Sequence, residues 1–188
     1  MNETYKVQVQ DLVDDLKAVF THAGLGGEAG EYKLLTQSFL YKFLNDKFLY
    51  QAQVLDESNT YENLLTMSEE DYDWLLEDIG TSTAWLKPDQ LIETLHRQQN
   101  EATFYETFEK TLNQIAIDNN DIFSVHTDGD TAIRLFDERL ITDTISDSSK
   151  RNEVAKAIIN LLTRVKFDET IFSQGFDFFS TLFEYMIK

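Results

Sequence analysis

The stretch Glu31-Tyr-Lys-Leu-Leu-Thr-Gln-Ser-Phe-Leu-Tyr-Lys-Phe-Leu-Asn-Asp-Lys-Phe48 decides the fold class. Tyr32, Leu35, Phe39, Phe43 and Leu44 recur at the spacing of one helix face. Leu40, Phe48 and Leu49 widen that stripe, so a helix over residues 28–53 is expected to be central and buried on more than one side. The chain holds one Pro and seven Gly in 188 residues, and so few breakers point to long helices.

The same period continues on both sides. Leu12, Val13, Leu16, Val19 and Phe20 predict a helix over 6–22, ended by the run Gly24-Leu-Gly-Gly27. Ser68 before Glu69, Glu70 and Asp71 is a helix start, with a hydroxyl cap and acids at the positive end of the dipole. Tyr72, Leu75, Leu76 and Ile79 form that helix's apolar side, and Gly80 stops it. Pro88 opens another helix, with Leu91, Ile92 and Leu95 inward. Phe104, Phe108, Leu112 and Ile115 predict a helix over 102–119. Val154, Ala155, Ile158, Leu161, Leu162 and Val165 predict one over 152–165. Phe176, Phe179, Leu182, Phe183 and Met186 predict a last one over 174–188. The exception is residues 122–136, where an Asp-Gly turn between partly alternating runs predicts a short β-hairpin. The expected fold is mainly α, an irregular multi-helix domain carrying one hairpin. The pattern is unbroken at Lys188, so residues 1–188 are expected to be one domain of a larger protein.

Composition narrows the functional classes. An apolar fraction of 42% is that of a globular chain. There is no Cys, which removes disulfides and thiolate zinc sites. The start has no apolar run after a basic stretch and no segment approaches a membrane span, so neither a signal peptide nor a span is expected, and a cytoplasmic location is. The net charge of -18 opposes nucleic-acid approach at long range. Between Lys47 and Lys87 there are nine Asp or Glu and no Lys or Arg. That acid is either a solvated face or a surface that docks a basic partner.

No segment carries a catalytic motif. Gly24–Gly30 lacks the preceding strand and the Lys-Ser/Thr pair of a nucleotide loop, and reads as a helix–helix turn. His22, His96 and His126 are too far apart for the two-His helix spacing of zinc sites. A calcium loop begun at Asp128 would need an acid at its twelfth position, where Arg139 stands. Adjacent carboxylates such as Asp14/Asp15 are expected by chance among 34 acids. The Trp and Phe stripes have the spacing of core residues rather than of base-stacking platforms. No catalytic, cofactor-binding or metal-binding residue is therefore assigned. Lys42 and Lys47 are basic positions on the long helix. Lys150-Arg151, after the polar run Ser146-Asp-Ser-Ser149, is the best candidate for a phosphate contact.

Four segments, in order, resemble the N-terminal domain of the modification (M) subunit of type I restriction-modification DNA methyltransferases. They are Glu31–Phe48; Ala84-Trp-Leu-Lys-Pro88; Arg151-Asn-Glu with its apolar helix and Val165-Lys-Phe-Asp168; and Phe176-Asp-Phe-Phe-Ser-Thr-Leu-Phe-Glu-Tyr-Met-Ile187. The second departs from the family in having Trp85-Leu86 where an aromatic pair is usual, but keeps its Pro. The resemblance spans most of residues 10–188. It implies a helical domain preceding an adenine-N6 methyltransferase that uses S-adenosylmethionine. It also implies a specificity (S) subunit, a second M subunit, a restriction (R) subunit and DNA as partners. The family's Asn-Pro-Pro-aromatic motif needs two Pro, so no catalytic residue carries over and the methyltransferase domain is expected after residue 188. Two other readings stand beside this one: an acidic DNA mimic that counters restriction enzymes, and a helical adaptor that docks a basic partner through residues 48–86.

Overall fold

A computed structural model describes residues 3–121 and 136–173. Helix α1 is Glu3–His22 and α2 is Ala29–Leu55. Then come α3 (Tyr61–Thr66), α4 (Glu69–Ile79), a 3-10 turn (Pro88–Gln90), α5 (Ile92–Arg97) and α6 (Phe104–Asp118). After residue 135 follow α7 (Leu140–Thr144), α8 (Ser148–Leu162) and α9 (Glu169–Phe172). Among the described residues there is no strand, and the protein is mainly helical. Of the hairpin expected over 122–136, residues 122–135 lie outside the described residues, as does the expected helix over 174–188. Phe136, at the edge of that hairpin segment, is buried.

The 27 residues of α2 span about 40 Å at 1.5 Å per residue. Leu34, Leu35, Phe39, Tyr41, Phe43, Leu44, Phe48 and Ala52 are all buried, and they cover more than one side of the helix. Elements α1, α4 and α7 pack around it, and α8 is the second hub, touching α1, α2, α5, α6 and α7. One continuous core runs through the described elements. Tyr32 departs from its expected place on the buried stripe: it stands 43% exposed, in the first turn of α2.

Local signals work where the cap lies beside its helix. Ser68 Oγ accepts from Asp71 N at 3.2 Å, and Gly80 closes α4 with a positive φ of 65° that an L side chain resists. The glycine run is a turn between α1 and α2, with positive φ at Gly24 and Gly27, and Glu31 Oε2 accepts from Gly27 N at 2.6 Å. Pro88 opens only the 3-10 turn. Leu91 is extended (ψ 144°), so the helix restarts at Ile92. Helix α8 begins four residues before its expected start, because Asp147 caps it through Ser149 N at 3.0 Å.

Three helices are instead capped by side chains from elsewhere. Leu91, Thr103 and Arg139, at the cap positions of α5, α6 and α7, make no side-chain cap bond. Asn45 on α2 accepts from Ile92 N at 2.9 Å. Asn152 on α8 accepts from Tyr105 N at 3.0 Å, and Glu109 on α6 accepts from Thr142 N at 3.1 Å. Each bond satisfies an N–H that its own helix leaves unpaired and fixes that helix against another.

Candidate functional site

The polar centre of the fold is on α2. Lys42, Asn45 and Asp46 lie on one helix face, and all three are buried, Lys42 at 5% exposure and Asp46 at 7%. Lys42 Nζ pairs with Asp46 Oδ2 at 2.9 Å. The same oxygen accepts from Phe167 N at 2.9 Å, and Oδ1 accepts from Asn45 Nδ2 at 2.9 Å. The Lys42 ammonium also lies 5.7 Å from the centre of the Phe167 ring. This group joins α2, the start of α5 and the segment leading into α9.

A cleft of about 650 Å³ opens above it. Tyr50, Tyr61, Glu62, Glu93 and Lys166 are among its walls. Arg97, beside it, pairs with Glu62 and lies 4.9 Å from the Tyr61 ring centre. At one end Asp168 caps α9 through Thr170 N at 2.9 Å and accepts from the Tyr5 hydroxyl on α1. The Tyr5 bond and the Thr170 amide hold the Asp168 carboxyl below its ordinary range. The same bond to Asp168, with burial, pushes the Tyr5 hydroxyl up to about 12. Among the described residues, the cleft walls contain no His and no Cys. Both oxygens of Asp46 are committed to donors, so it does not offer a base. The arrangement ties three parts of the chain together.

Lys150 and Arg151 fall in the first turn of α8 and part there. Arg151 turns inward: its Nε donates to Ile145 O at 2.9 Å, and its guanidinium lies 5.7 Å from the Tyr105 ring centre. Lys150 lines a separate groove of about 320 Å³ with His22, Glu153 and Ala157. Lys47 Nζ lies 5.8 Å from the Phe43 ring centre. His22 and His96 each sit in the last turn of a helix, while His126 and most of the loop begun at Asp128 lie outside the described residues. Among the described residues no group of acids and histidines is placed to hold a metal, and no helix is long and apolar enough to cross a membrane.

One aromatic residue departs from the core expected of the Trp and Phe stripes. Trp74 is 61% exposed and not part of the core. The signal was present, since Tyr72, Leu75, Leu76 and Ile79 put Trp74 on the opposite side of α4. Trp85, half-buried, donates from its indole to Gly80 O at 2.6 Å, and its backbone N–H donates to Asn119 Oδ1 at 2.7 Å.

No family model, no curated protein and no solved structure matches this chain.

Proposed function

We propose that this chain is the N-terminal assembly and DNA-clamp domain of a type I restriction-modification methyltransferase M subunit. On this reading the parent protein transfers a methyl group from S-adenosylmethionine to adenine N6. This domain joins it to the specificity subunit, a second M subunit and the restriction subunit around DNA, in the cytoplasm. The observation that carries the reading is where the resembling segments fall. Asp46 of the first segment accepts from Phe167 N of the third at 2.9 Å. Asn152 of the third caps α6, and Trp85 of the second is clasped by Asn119, which accepts its N–H and donates back to its carbonyl at 2.8 Å. What supports the reading is that residues of three of the four resembling segments hold helices against one another.

The test is to express the parent polypeptide with the specificity subunit encoded beside it. Adenine methylation of DNA, and co-purification that is lost when residues 1–188 are deleted, are the expected results. A parent with no methyltransferase domain, or a complex that forms equally well without these residues, overturns the proposal.

A further inference from the structure

We draw no further inference here: the strongest candidate, the cleft of about 650 Å³ above Lys42 and Asp46 on α2, belongs to the site already described, and its walls mix Lys166 with Glu62 and Glu93, so nothing in the structure shows which class of ligand would fill it.

Discussion

Replacing Asp46 by Ala tests the centre of the fold. The carboxylate serves three donors, at 2.9 Å each: Lys42 Nζ, Phe167 N and Asn45 Nδ2. Removing it leaves the Lys42 ammonium, 5% exposed, without its counter-ion. Deleting one partner of a buried pair costs about 3–5 kcal/mol. The buried Phe167 N–H, left unpaired, adds about 1–3 kcal/mol. Lys42 borders the cleft and recovers some hydration by turning into it, which brings the total to about 4 kcal/mol. That is a large part of the roughly 5–15 kcal/mol that holds a domain together. For a chain of this length each kcal/mol moves the melting temperature by about 2–4 °C, so the expected fall is on the order of 8–16 °C.

Lys42→Met should cost less, about 2 kcal/mol, because Asp46 then keeps two N–H donors. In Lys42→Met/Asp46→Ala no charge is left buried, so the double variant should be more stable than Asp46→Ala alone. Urea denaturation followed by far-ultraviolet circular dichroism measures all four proteins. The reasoning fails if Asp46→Ala lies within about 1 kcal/mol of the parent. It also fails if the double variant is the least stable of the four.

Asn45→Ala strands the buried Ile92 N–H and should cost about 1–3 kcal/mol, whereas Ser68→Ala, at an exposed local cap, should cost about 1 kcal/mol; the same denaturation assay ranks them. Arg151→Ala removes a charged donor from Ile145 O and should lose about 1.5–3 kcal/mol, while Lys150→Ala should stay within about 0.5 kcal/mol. If Lys150→Ala weakens DNA binding by the assembled complex without lowering stability, Lys150 makes the phosphate contact. The Tyr5–Asp168 bond sets two pH limits. The Asp168 carboxyl is lowered in the folded state, so its contribution is present above the ordinary carboxylate range and is lost as pH falls through the lowered value. The Tyr5 hydroxyl is raised to about 12, so its contribution is complete below its ordinary value near 10 and is lost as pH rises through about 12. Tyr5→Phe should flatten both ends of a melting-temperature profile against pH; an unchanged profile rejects the assignment.

The long elements were legible because burial imposes a period. The stripes of α1, α2, α4, α6 and α8 follow from apolar spacing, and the start of α4 follows from one hydroxyl beside it. What was not legible was set across the chain. The short helices α3, α7 and α9 carry too few apolar residues to show a period. Thr60 and Asp168 nonetheless cap α3 and α9 locally, accepting from Asn63 and Thr170, so those two starts left a trace in sequence. The start of α7 left none, because its cap, Glu109, comes from α6. Lys42 was visible as a cation on the long helix, but its burial was not, since Phe167 and Asp46 close around it only in the folded chain. Trp74 is the opposite case: the Trp and Phe stripes as a group have core spacing, but beside Tyr72, Leu75, Leu76 and Ile79 the place of Trp74 on the wheel is outside.

These particulars separate the polar residues into two kinds. Helices α5 and α7 have 6 and 5 residues, far below the roughly 12–15 at which an isolated helix is even marginal in water. They exist because longer helices hold their first turns, so Asn45 and Glu109 are demanded by the fold itself. Arg151, Asn152 and Asp46 answer the same demand at other junctions. The acids of α4 divide: Glu69, Glu70 and Asp71 favour its first turn at the positive end of the dipole, whereas Glu77 and Asp78 fall near its carboxyl end. They pair with nothing among the described residues, crowd like charges within two turns, and surround an indole that the core does not use. Stability alone would favour replacing Glu77 and Asp78, whose charges oppose the dipole at that end of the helix.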